Sequence, residues 1–172
     1  MVRLIRGALF MSKSCCFIIK EPWATRLYEE AAKEEVLSAF LYYLTFALDV
    51  KRYYFLYDEK APFPANAILE RIRLFDPSVE RILLYPERGF ANATFAYSCG
   101  NRFEKKQNLP DEMFSKEDAL HRFLIEQCDF LIFSSDEKES FALAEARRQS
   151  KTAIDFTELR DLSSLFRSAT NV

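Results

Sequence analysis

Glycine is nearly absent: a chain of 172 residues holds three, Gly7, Gly89 and Gly100. Main-chain N–H groups approach a phosphate closely only where no side chain intervenes and positive φ is allowed, which is the role glycine fills in phosphate-binding turns. A glycine-rich phosphate cradle is therefore not expected. Histidine occurs once, and the four cysteines, Cys15, Cys16, Cys99 and Cys128, show no C-x-x-C spacing. No metal site is expected from such a set, and the thiols read as reduced and cytosolic. No apolar stretch is long enough for a membrane span or a signal sequence, so a cytoplasmic protein without membrane contact is expected. Charge of one sign is also missing: 24 basic and 26 acidic side chains are mixed along the chain for a net −2. With no basic stripe to neutralise a phosphate backbone, nucleic acid is not expected as a partner.

What is present is apolar and aromatic. Hydrophobic residues make up 49% and aromatics 15% of the chain, mostly Phe and Tyr, enough for one ordinary core with aromatics to spare. The surplus points to a self-association surface and a homodimer. Residues 1–13 read as a flexible N-terminal extension, with Met11 as an alternative start running straight into a strand, and residues 14–172 as one domain.

Along that domain short apolar runs alternate with helical patterns. Cys15 to Ile19 reads as a first strand, stopped at Pro22. Leu37, Leu41, Leu44 and Leu48, widened by Val36 and Phe40, predict a long amphipathic helix between Thr25 and Asp49. Tyr53 to Tyr57 is a second strand, and Ile68, Ile72 and Phe75 line a helix ending near Asp76-Pro77. Arg81 to Tyr85 is a third strand, and residues 90–110 lack periodicity and read as loop. Ser115, with Asp118 three places on, predicts a capped helix continued by Leu120, Phe123, Leu124 and Gln127. Phe130 to Phe133 is a fourth strand, Phe141 to Gln149 a helix, and Thr152 to Phe156 a fifth strand. Leu159, Leu162 and Phe166 mark a last helix behind Thr157. Strands that are apolar throughout, rather than alternating, are buried on both faces. The expectation is an α/β, Rossmann-like three-layer sandwich: a mainly parallel sheet of about five strands with helices on both faces. Ligands of such sheets lie beyond the carboxyl ends of the strands, here Lys20–Trp23, Tyr57–Pro64, Pro86–Phe90 and Ser134–Ser140.

Cys15-Cys16-Phe17 followed by Pro22 resembles the opening of the YpsA-like branch of the SLOG superfamily, in which C-C-F precedes T-G-H-R-P. Ala65 to Arg73 with Pro77, Val79 and Pro86, then Arg122-Phe123, Asp129 to Ile132 and Ala146 to Ile154, continue the likeness over most of residues 14–156. The resemblance implies a Rossmann-like fold that binds nucleotides or nucleotide-derived ligands, some relatives cleaving a nucleoside's glycosidic bond. The family's ligand positions are altered here. Its T-G-H-R stretch falls on Ile18, Ile19, Lys20 and Glu21, and its second-strand glycine turn on Leu56 to Pro62. Its late Arg-Asn pair falls on Leu120 and His121, its Gly-Thr turn near Lys138 and Glu139, and its glycosidase Glu near Ala142.

Two readings follow. The altered turns favour a non-catalytic binding or interaction protein with no cofactor. The second reading is a nucleotide- or nucleoside-derived ligand, and N-glycosidase activity, at a site rebuilt from side chains at the strand ends. Its candidate ligand contacts are Lys20, Glu21, Asp58, Lys60, His121, Asp136, Lys138 and Ser140. The acids among them, with Glu59, Glu137 and Glu139, repel an anion. Asp136 or Ser135 also serves as a helix cap, and His121 beside Arg122 reads as an exposed helical residue needing no function. Cys99 lacks a base in view, and Arg147, Arg148 and Lys151 read as a solvated helix face.

Overall fold

A computed structural model of the chain describes residues 12–18, 31–56, 65–87, 103–133 and 141–155. Among the described residues six strands form one sheet: β1 (Lys13–Ile18), β2 (Val50–Leu56), β3 (Glu80–Pro86), β4 (Lys105–Leu109), β5 (Phe130–Phe133) and β6 (Thr152–Asp155). They lie in the order β4-β3-β2-β1-β5-β6, every pair parallel. The helices are α1 (Ala31–Tyr42), α2 (Ala65–Arg73), the single turn α3 (Asp111–Phe114), α4 (Glu117–Gln127) and α5 (Phe141–Arg148). A π-helical turn, Tyr43–Ala47, follows α1.

The two faces of the sheet are two separate cores. Cys15, Phe17, Tyr53, Phe55, Leu83 and Ile132 point to one side, under Leu37, Phe40 and Leu41 of α1 and Ile68, Leu69 and Ile72 of α2. Cys16, Ile18, Tyr54, Ile82, Leu84, Leu131 and Phe133 point to the other, under Leu120, Leu124 and Ile125 of α4 and Ala142, Leu143 and Ala146 of α5. Consecutive residues of one strand thus enter opposite cores, which is why these strands carry uninterrupted apolar runs. The architecture is the expected Rossmann-like α/β sandwich, with six strands in place of five.

The extra strand is β4, inside the stretch expected to be loop. It occupies an edge, and Lys105, Lys106, Gln107 and Asn108 are all exposed, with Leu109 alone buried. A strand with one buried residue has no apolar period to read, and its lysines discourage further strands from adding to that edge. Phe75, expected on the apolar face of α2, lies outside the helix and is 74% exposed. Pro77 disfavours helical conformation at Asp76, so α2 ends at Arg73 and the chain turns with Leu74 and Phe75 outward. The capping role expected of Ser115 is not found either: α4 begins at Glu117 with no side-chain cap, and the Ser115 hydroxyl donates to the Glu112 carbonyl at the end of α3. The last helix, expected beyond Phe156, lies outside the described residues, as do residues 1–11 of the expected extension.

Scarcity of glycine leaves its mark on the backbone. Asp49 and Ser150 adopt positive φ, 58° and 55°. Ser150 sits where glycine usually ends a helix: its N–H donates to Arg147 O (3.1 Å) and that of Lys151 to Ala146 O (2.9 Å), a complete Schellman arrangement.

Candidate functional site

In an open parallel sheet the strand order reverses at one point, and there the loops leaving two neighbouring strands diverge to opposite faces and leave a crevice. Here the reversal lies between β1 and β5, since β2, β3 and β4 follow on one side and β6 on the other. The last paired residues at the carboxyl end of this junction are Ile18 and Phe133. Both are buried in the core beneath α4 and α5. The described part of this junction thus ends in two bulky apolar side chains. The segments that leave it, Ile19 to Pro22 and Ser134 to Ser140, contain no glycine.

Of the candidate ligand residues, Lys20, Glu21, Asp58, Lys60, Asp136, Lys138 and Ser140 lie outside the described residues. His121 is described, and the expectation that it is an exposed helical residue is corrected: it is 7% exposed. The apolar stripe of α4 consists of Leu120, Leu124 and Ile125, and His121 falls within it, one residue after Leu120 and four before Ile125. Gln127, expected on that stripe, faces solvent. The imidazole Nε2 stands 3.8 Å from Glu117 Oε1, one turn earlier. Leu120 and Ala142 are buried as well. Leu120 and His121 of α4 and Ala142 of α5 therefore all face the core.

The described thiols are poorly suited to nucleophilic work. Cys15, Cys16 and Cys128 are free and buried. Burial, then the neighbouring Cys16, push the Cys15 thiol well above its ordinary range, and burial followed by the Cys16 contact does the same for Cys128. Among the described residues no group of three or more His, Cys, Asp or Glu could hold a metal ion, and no helix is long and apolar enough to cross a membrane.

The opposite end of the sheet, at the amino ends of the strands, carries features that no sequence pattern singled out. Lys51 at the start of β2 donates to Asp76 Oδ2 (2.6 Å) in the turn after α2 and to Thr45 O (3.1 Å) in the π-helical turn, and lies 5.7 Å from the Phe46 ring centroid. One ammonium thereby joins two turns. Burial works to lower its pKa, but the hydrogen bonds and charges of Asp76 and Asp49 raise it overall, and Lys51 in turn holds the Asp76 carboxyl below its ordinary range with help from Ser78. Phe46, Leu74 and Phe75, on these same two turns, are the exposed large hydrophobic residues of the described chain. The Pro77 that ends α2 was the available signal for Leu74 and Phe75, and Phe46 had none.

Compared with known families and characterised proteins, the sequence matches no family model and no curated protein.

Proposed function

We propose that the chain is a degenerate relative of the SLOG superfamily, YpsA-like branch, that works as a non-catalytic interaction protein and associates with a second copy of itself. The observation that carries this reading is the switch point. Where a Rossmann-like sheet ordinarily offers main-chain amides to a phosphate, β1 and β5 end in buried Ile18 and Phe133 and continue into segments without glycine. The inward packing of Leu120, His121 and Ala142 supports it, because the family's ligand-facing positions then serve the core instead. The chain's place in the cytoplasm belongs to the same proposal.

A thermal-shift screen of the full chain against nucleotides, nucleosides and ADP-ribose tests it. A ligand at a hundredfold excess over its Kd stabilises the folded state by about 2.7 kcal/mol, a rise of several degrees that such a screen resolves. Unchanged melting across the screen is the expected result. A saturable rise with any of these compounds overturns the reading and favours a ligand site rebuilt from side chains.

A further inference from the structure

Leu74 and Phe75 are 81% and 74% exposed, yet the turn that carries them is firmly braced. Leu74 N–H donates to Arg71 O, and the N–H groups of Phe75 and Asp76 both donate to Ile72 O, at 3.0–3.1 Å. Asp76 accepts from the backbone N–H (3.0 Å) and hydroxyl of Ser78 and from Lys51 (2.6 Å). Two large apolar side chains are thus held out into water by a backbone that has already given up its freedom, so docking them costs little further entropy. Phe46, 51% exposed, stands on the neighbouring turn that Lys51 joins to theirs. At about 200 Å² for a whole large side chain, the three leave roughly 400 Å² of apolar surface in water, within the range of functional patches.

We infer that Phe46, Leu74 and Phe75 form the contact face of a weak, two-fold symmetric dimer of this chain. The inference rests on the reading of the chain as an interaction protein and assigns it a surface and a partner. Charge favours a second copy as the occupant. The segments that carry the patch bear charges of both signs: Arg71, paired with Glu34 at 3.4 Å, precedes Leu74 by three residues, and Asp49, 3.4 Å from Lys51, follows Phe46 by three. A rim carrying both signs is complementary to itself when turned about a two-fold axis, whereas a foreign partner steered by charge calls for a rim of one sign. Area sets the strength. Two such patches bury roughly 800 Å² of apolar surface between them, and with a polar rim the contact falls at the small end of specific interfaces, where association is weak and reversible.

Sedimentation velocity on the full chain, from low micromolar to near millimolar concentration, tests the proposal. The expected result is a reversible monomer–dimer equilibrium that Leu74→Glu/Phe75→Glu weakens at least a hundredfold and Phe46→Glu weakens at least tenfold. Leu74 and Phe75 are 81% and 74% exposed, so circular dichroism and the melting temperature of the monomeric double variant stay as in the parent. A parent that sediments as a monomer throughout overturns the proposal, as does a dimer that the double variant leaves intact. A parent that purifies in stoichiometric complex with a different protein, lost in the double variant, also overturns it, since the face then has another occupant. Failure here and failure of the reading beneath it are distinguishable: a nucleotide-dependent thermal shift in a chain that still dimerises through these residues sinks only the latter. An undisturbed dimer in the double variant with a flat ligand screen sinks only the surface.

Discussion

Arg81, 1% exposed at the start of β3, meets the Glu104 carboxylate along its whole guanidinium edge: Nη2 lies 2.7 Å from Oε1 and Nε 3.1 Å from Oε2, while the Arg81 backbone N–H also donates to Oε2 at 2.7 Å. Nη1 is held by the Asn66 side chain (3.0 Å) and backbone carbonyl (3.2 Å) in α2, and Arg73 reaches Glu104 Oε1 at 2.7 Å. Glu104 immediately precedes β4. Two arginines and a carboxylate therefore hold the polar edge strand, which buries too little to hold itself.

Removing Glu104 leaves the buried Arg81 guanidinium with only the more distant Glu70 carboxylate, 3.9 Å from Nη1, a change that costs less than the roughly 3–5 kcal/mol of a fully buried, fully broken pair. We expect Glu104→Gln to lower unfolding stability in urea by about 2 kcal/mol. Burial pushes the Glu104 carboxyl up, but the hydrogen bonds and charge of Arg81, then the charge of Arg73, outweigh it and hold the carboxyl below its ordinary range. The group therefore binds its proton less readily folded than unfolded. Its stabilisation is complete above the ordinary carboxyl range and is lost as pH falls through its lowered folded value. The glutamine variant should lose that part of the acid slope, and an unchanged slope would contradict the assignment.

Glu145 of α5 accepts from Arg148 Nε (2.9 Å) and Gln149 Nε2 (2.7 Å), with Arg122 of α4 at 3.9 Å. The Arg148 hydrogen bond, then that of Gln149, bring its pKa down to about 2. Carboxyl NMR should show a midpoint near there, well below the ordinary range of a glutamate. Its stabilising effect is full above about 4.5 and disappears as pH drops toward 2, so a midpoint in the ordinary range would show that the cluster does not persist in solution.

Thr45 and Tyr53 give an asymmetric pair. The Thr45 hydroxyl has one proton and donates it to Leu41 O (2.7 Å), so across the 2.8 Å contact the Tyr53 hydroxyl must be the donor. Thr45→Val strands a buried phenol, at about 1–3 kcal/mol, whereas Tyr53→Phe leaves Thr45 bonded to Leu41 and costs nearer 1 kcal/mol. Urea denaturation should rank them in that order. The reverse ranking would mean that the proton assignment is wrong.

Ser150→Gly should stabilise the protein. Serine at φ 55° bears a steric cost of about 1–2 kcal/mol that glycine avoids, partly offset by the greater freedom glycine gives the unfolded chain. A net gain of about 0.5–1 kcal/mol, read as a higher melting temperature, is expected. A loss of stability would show that the Ser150 side chain contributes something its helix-ending position does not reveal.

The amino-acid order alone determined the alternation of strand and helix, because burial on both faces forces apolar runs such as Phe130–Phe133 and burial on one face forces the stripe Leu37, Leu41, Leu44. It also determined that the segments after β1 and β5 hold no glycine. Those are properties of residues read against their near neighbours. Tertiary structure decided what depends on distant ones: that β4 is a strand, paired to β3 through a ladder its own polar side chains do not announce; that His121 turns inward; and that Phe75 turns outward. The strand order that makes Ile18 and Phe133 neighbours across more than a hundred residues belongs to the same class, since a parallel pairing leaves no periodic trace in either partner. The cluster of Phe46, Leu74 and Phe75 at one end arises the same way, from two helices of separate segments ending side by side under one lysine.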